Sequence, residues 1–299
     1  MSRNWLIFLG MVFVLGAQAA DVKAPDLLAI RRAGKKLLPL QTKMGPVSPG
    51  DWLASHPEPG QTFDAYLASN PNRPNAERTA IYIQPIGEFS APQKRLLDDT
   101  VEVMGVFFGI PMKTLERLPL ELIPARARRV HPAWGVPQIL TTYVLNDVLM
   151  PRRPKDAVAV LALTTSDLWP GEGWNFVFGQ ASLEARVGVW SLARFGDPER
   201  DYAQTLRRTL ATATHETGHM LGIPHCIAFE CGMNGSNSLP ESDRRRLGFC
   251  SECEQKVWWA CGVDPMNRYE ALSEFAEKRK LERETREWRT ALSVLKSQP

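Results

Sequence analysis

The residues best suited to chemistry lie together in one short stretch: His215-Glu216-Thr217-Gly218-His219, followed by Gly222 and His225. Two histidines four residues apart fall on one face of a helix at neighbouring turns, so both imidazoles can meet one ion. Zinc accepts imidazole nitrogen, and a catalytic zinc site keeps three protein ligands with a fourth position open to water. Glu216 follows the first ligand directly and can reach such a water as general base. Gly222 stands where the helix must stop, and its tolerance of positive φ lets the chain swing back and deliver His225 as the third ligand. Three imidazoles and a carboxylate are costly to bury without a metal. A bare H-E-x-x-H recurs by chance in helices, but its extension to a third histidine at this distance is specific.

The cysteines add a second cluster. All five lie between Cys226 and Cys261. Cys226 with Cys231 and Cys250 with Cys253 form two closely spaced pairs that can close a tetrahedral four-thiolate zinc site, which gives folding energy to a loop without its own core. The stretch Met233 to Phe249 is such a loop. Two disulfides are the competing reading, which an exported chain permits. Cys261 is left over and reads as a small buried hydrophobe near Trp258 and Trp259. Arg244-Arg245-Arg246 reads as an exposed charge cluster on the loop, because the formal net charge of +3 leaves little footprint for nucleic acid.

The histidine string followed by Cys226, Cys231, Met233, Cys250, Cys253 and Lys256 resembles the archaemetzincin (archaelysin) family of the metzincin zinc metallopeptidases. That family continues from the zinc string with C-x4-C-x-M and later C-x-x-C; the interval from Met233 to Cys250 is one residue shorter here. Asp167-Leu168 and Phe178-Gly179-Gln180-Ala181 also resemble the family's region ahead of the active-site helix. The likeness covers Thr79 to Pro265 and is most specific in its last third. It implies a catalytic zinc on His215, His219 and His225, with Glu216 as the base and Met233 as an apolar floor beneath the metal. It further implies a structural zinc on Cys226, Cys231, Cys250 and Cys253.

Several elements must position these residues. Ala80 to Ile86 is a β-rich apolar run, and a helical pattern follows through Leu96, Leu97, Val101, Met104 and Phe108. Ala157 to Thr164 is a nearly continuous apolar run, as in a sheet covered on both faces. Further strands are expected at Asn175 to Gly179 and Val187 to Leu192, with Ser166 to Gly171 as a turn. Asp201 to Leu221 carries Leu206, Leu210, Ala213 and Leu221 along one helical face. The fold class expected is α/β (α+β), a metzincin-like mixed sheet with an active-site helix, followed by a smaller zinc-stapled C-terminal subdomain.

The 299 residues, 44% hydrophobic and 23% charged, divide by composition into five segments. Residues 1–20, with Arg3, an apolar run from Trp5 to Leu15 and Ala17-Gln18-Ala19, read as a signal peptide, so the mature chain is expected outside the cytoplasm, periplasmic or secreted, without stable membrane insertion. Residues 21–76 read as an extended proline-rich arm whose Trp52, Phe63 and Tyr66 pack on something; lying across the cleft as an inhibitory pro-segment is one role open to it. Residues 77–222 and 223–265 form the two subdomains, and residues 266–299 read as a long charged helix, with Leu272, Phe275, Trp288, Leu292 and Leu295 facing inward. The expected activity is that of a zinc metalloendopeptidase or aminopeptidase with two zinc ions, acting on a peptide or protein substrate and not on nucleic acid. Its substrate would pair with the strand at Val187 to Leu192. A non-catalytic zinc-binding interaction protein is the alternative, which the presence of Glu216 disfavours because a structural site needs no base.

Overall fold

A computed structural model describes residues 26–297, so the signal-peptide segment lies outside the described residues. The arm begins with helix α1 (Leu27–Leu37), followed by two short helices, α2 (Trp52–Ser55) and α3 (Phe63–Ala68). The central elements follow in chain order: β1 (Ala80–Ile86), α4 (Ala91–Phe108), β2 (Met112–Thr114), β3 (Arg128–Val130) and β4 (Pro137–Leu140). A broken helix comes next, α5 (Thr141–Tyr143) and α6 (Met150–Arg152) joined by a π-helical stretch at Val144–Leu149. Four strands, β5 (Ala157–Thr164), β6 (Asp167–Trp169), β7 (Gly179–Ser182) and β8 (Val187–Ser191), lead into the long helix α7 (Tyr202–Met220). The chain closes with α8 (Leu239–Arg244), α9 (Ser251–Cys261), α10 (Pro265–Lys278) and α11 (Glu282–Lys296).

The main sheet runs β2-β1-β5-β8-β7, parallel except for β7, which is antiparallel to β8. Every residue of β1, β5 and β8 is buried, as expected of parallel strands covered on both faces. Alternate side chains serve two cores: Ile81, Ile83, Val158, Leu161 and Trp190 face α4 and α7, whereas Tyr82, Val160, Ala162, Val187 and Val189 face the β2–α6 excursion. Ser90 and Gln93 form a capping box that starts α4, and Gly109 at φ +61° ends it. These are the elements the continuous apolar runs and the helical period predict.

The second sheet, β3-β4-β6, holds a loop over the cleft. Arg194 donates to both carboxylate oxygens of buried Asp167 at 2.8 and 2.7 Å, and Gln138 donates to Asp167 at 2.7 Å and to the Asn175 carbonyl at 2.9 Å. Arg129 donates to the Trp174 and Asn175 carbonyls at 3.0 and 2.9 Å. Asp167 is therefore strand and not turn, because Arg194 and Gln138 compensate its burial.

Four further expectations need correction. Asn175 to Phe178 is loop, and the strand expected there begins at Gly179 and runs to Ser182. The strand at Val187 to Ser191 is interior, flanked by β5 and β7, so the edge open to an extended chain is β7. The arm is not wholly extended: α1 buries Ile30, Gly34 and Leu37, with the Gln255 side chain filling the space where Gly34 lacks a β-carbon. The C-terminal segment is a pair of helices, because the chain turns at Lys280, a non-glycine residue at φ +58°. Leu272, Phe275, Trp288 and Leu295 of that pair are buried, and Leu292 is half-buried. Among the described residues no helix is long and apolar enough to cross a membrane.

The C-terminal pair is tied to the active-site helix by a buried ion pair, in which Arg207 of α7 donates to Glu284 of α11 at 2.8 Å and also to the Arg245 carbonyl. Removing one partner leaves the other charge buried and uncompensated. Glu284→Ala is expected to lower unfolding free energy by about 3 kcal/mol, measured by urea denaturation; a loss within experimental error would show that the contact is energetically idle.

Candidate active site

Helix α7 starts at Asp201, whose carboxylate accepts from the Gln204 amide at 3.0 Å, and it presents His215 and His219 in its last turns. Its end is a Schellman turn: the Ile223 amide donates to the Gly218 carbonyl at 3.0 Å and the Gly222 amide to the His219 carbonyl at 2.8 Å, with Gly222 at φ +82°. That turn sends the chain back and brings His225 to the other two imidazoles. The Nε2 atoms of His215 and His219 are 3.0 Å apart, and one ligand atom from each of the three histidines lies within 4.8 Å of the others.

Each of these rings has its second nitrogen engaged. Nδ1 of His215 donates to the Gly232 carbonyl at 2.8 Å, Nδ1 of His219 to the Ile223 carbonyl at 2.8 Å, and Nδ1 of His225 to Glu58 at 2.8 Å. With each Nδ1 held by its acceptor, the other ring nitrogen is left free for a shared divalent cation. Burial, and then the neighbouring histidines, hold His215 well below the ordinary imidazole range; the same causes lower His219 to about 4. Neutral, convergent imidazoles fit a zinc ion.

Glu216 is 5% exposed, and burial pushes its carboxyl up to about 8 in the metal-free chain. Room for it comes from β7: a β-carbon at Gly179 would lie 2.6 Å from its Oε1. Against the same helix, Met233 is fully buried, and a β-carbon at Gly218 would lie 2.5 Å from its sulfur. The missing side chain at Gly218 thus lets Met233 sit directly against the helix. The cleft in front has a volume of about 670 Å³ and is bordered by Trp52, Trp174, Phe178, Gln180, His215 and Glu216. Arg245 and Arg246 also border it and are half-buried, paired with Glu241 at 3.3 Å and Glu287 at 3.1 Å, so only Arg244 of that triplet is exposed.

The cysteines converge as well. The sulfurs of Cys226, Cys231, Cys250 and Cys253 lie within 4.8 Å of one another, all buried and unbonded. Cys226 and Cys250 are 3.7 Å apart, far beyond a disulfide but close to the edge of a tetrahedron with about 2.3 Å zinc–sulfur bonds. The Cys250 and Met233 amides donate to the Cys231 sulfur at 3.1 and 3.4 Å. Cys261 is apart from this cluster and half-buried, and burial raises its thiol to about 12, which disfavours the thiolate.

The arm supplies contacts that the sequence does not specify. Tyr66 donates to the Leu221 carbonyl at 2.8 Å and Asn72 to the Met220 carbonyl at 2.9 Å, satisfying two carbonyls left open at the end of α7. Lys256, noted beside the cysteine pattern, is buried and donates to the Gln61 carbonyl at 2.6 Å. Glu58 lies in His56-Pro57-Glu58-Pro59-Gly60, and no spacing connects it with the histidine string.

A family model described as peptidase family M54 matches residues 154–258, a span that contains all seven candidate ligands. The chain is 35% identical over 274 residues to archaemetzincin-2 of Homo sapiens, covering 78% of this chain and 75% of that one. It is 30% identical over 256 residues to archaemetzincin-1 of Homo sapiens, covering 74% of this chain and 51% of that one. The crystal structure of archaemetzincin from Methanopyrus kandleri matches at a TM-score of 0.51 and 28% identity, covering 64% of this chain and 99% of that one.

The buried carboxyl of Glu216 has a consequence for the metal-free protein. Its unfolded form releases the proton near 4.5 and its folded form near 8, so rising pH between those values favours unfolding. Glu216→Gln removes that term. With both proteins stripped by a chelator, the variant is expected to be the more stable by a few kcal/mol at about pH 8 and nearly equal at about pH 5. Thermal unfolding at the two pH values tests this, and a difference independent of pH would refute it.

Proposed function

From the premise that this chain belongs to peptidase family M54, the archaemetzincins, a family of zinc metallopeptidases, we propose that it hydrolyses peptide bonds with Glu216 as general base. The observation that carries this reading is that Nδ1 of all three histidines is engaged while one ligand atom from each lies within 4.8 Å of the others, at a cleft that the buried Glu216 also borders.

His215, His219 and His225 would hold the ion. Zinc bound there supplies a Lewis acid for the scissile carbonyl and a positive charge that favours the ionised form of Glu216. Glu216 takes a proton from the attacking water and later returns it to the departing amine. An extended peptide adds to the free edge of β7, where Gly179, Gln180 and Ala181 border the cleft, and this geometry favours cleavage within a chain. Cys226, Cys231, Cys250 and Cys253 would hold a second zinc that staples the loop carrying Met233 to α9. The Arg3-led apolar run and Ala17-Gln18-Ala19 support an exported enzyme.

Glu216→Gln is expected to lower peptidase kcat by at least about 100-fold while zinc content is unchanged; full activity in that variant would remove the general-base assignment. Elemental analysis of the purified protein is expected to give two zinc ions per chain, with one lost in Cys231→Ser. One zinc together with fewer than five titratable thiols after denaturation would support disulfides instead.

A further inference from the structure

His215 and His219 are fixed by a helix, but His225 stands on an irregular turn and needs an external hold. Their Nδ1 partners differ accordingly. The two helical ligands donate to backbone carbonyls of residues 223 and 232, close to them in the chain, whereas His225 donates to Glu58, 167 residues away on the arm. Both carboxylate oxygens of Glu58 lie within reach of that Nδ1, at 2.8 and 3.0 Å. The side chains of His225 and Glu58 are 17% and 23% exposed, so the pair is largely sheltered from competing water.

Glu58 is itself anchored. The Trp52 indole donates to its Oε1 at 2.8 Å, and the Trp52 ring meets His225 edge-on at 5.3 Å. The Trp52 amide donates to Glu241 of α8 at 3.0 Å, and a side chain at Gly235 would strike the indole. The arm also clasps the loop that carries His225: the Met44 amide donates to the Ala228 carbonyl at 3.0 Å and the Glu230 amide to the Thr42 carbonyl at 2.9 Å. Gly60 leaves space that the Ile227 side chain fills.

We propose that Glu58 is a positioning residue of the metal centre, which orients His225 and fixes its tautomer, so that the arm is a permanent part of the site. This inference rests on the peptidase reading above. A carboxylate partner fixes the tautomer and orientation of a metal-bound histidine, and its loss costs 10–100-fold in metal affinity or activity. An arm that supplies such a group cannot act as a detachable inhibitory segment, since its departure would release the third ligand.

The test uses the full chain and its Glu58→Ala, Glu58→Gln and Tyr66→Phe variants. Zinc affinity of the three-histidine site is measured by competition with a chromogenic chelator. Cobalt substitution distinguishes that site from the cysteine cluster, because only the latter gives sulfur-to-cobalt charge-transfer bands. Glu58→Ala is expected to weaken the three-histidine site about 10–100-fold and to alter its cobalt ligand-field bands. Glu58→Gln, which keeps an acceptor without the charge, is expected to lose less. Thermal stability of the metal-free proteins and the cysteine cluster are expected to be unchanged, and Tyr66→Phe, which loosens the same arm where it meets the end of α7 while leaving Glu58 in place, is expected to bind zinc normally. Unchanged affinity in Glu58→Ala, or an equal loss in Tyr66→Phe, would overturn the assignment. An unaltered protein with no zinc affinity at the three histidines would overturn the peptidase reading itself.

Discussion

Three imidazoles can share one cation only if each turns an unprotonated nitrogen toward it, and in this molecule that condition is met by three hydrogen bonds to the opposite nitrogens. Gly232, Ile223 and Glu58 accept them, and they come from three different parts of the chain. Each acceptor needs its own support. The Schellman turn places Ile223, the loop stapled by the cysteine cluster places Gly232, and the arm places Glu58. The rest of the architecture can be understood as the means of holding these three acceptors still.

Absent side chains matter as much as present ones. Gly218 and Gly179 lie on opposite sides of the site, and at each the space of a β-carbon is already filled, by the Met233 sulfur in one case and the Glu216 carboxylate in the other. Close packing of this kind leaves Glu216 little freedom to swing away from the histidines. The same closeness excludes water from its carboxyl, which raises its proton affinity in the metal-free chain.

The small C-terminal subdomain has few regular elements, and its stability is distributed among unlike contacts. Four sulfurs gather Cys226, Cys231, Cys250 and Cys253, the arm pairs with residues 228–230, and Lys256 is capped by the Gln61 carbonyl. Helix α10 then packs against α4 and α11, and α11 also against α1, with Arg207 and Glu284 linking the pair to α7. Metal centre and scaffold are thus interdependent, since the segments that carry ligands lack a core large enough to fix them alone.

The gathering of the three histidines was legible in the sequence because its geometry is local. A four-residue helical spacing and a glycine at the helix end dictate where three imidazoles can go, within eleven residues. The strands β1 and β5 and the helix α7 were legible for a similar reason, since continuous apolar runs and a 3.6-residue period are written in neighbouring residues. What the tertiary structure alone decided depends on contacts between distant segments. The helix α1 is short and rich in lysine and arginine, and its stability comes from packing on α9. The turn at Lys280 carries no glycine or proline, and Asp167 can be buried in a strand only because Arg194 reaches it. The order of strands that makes β7 the open edge, and the carboxylate of Glu58 on His225, follow from how the chain closes on itself, because a contact between separate segments leaves no periodic trace along the chain.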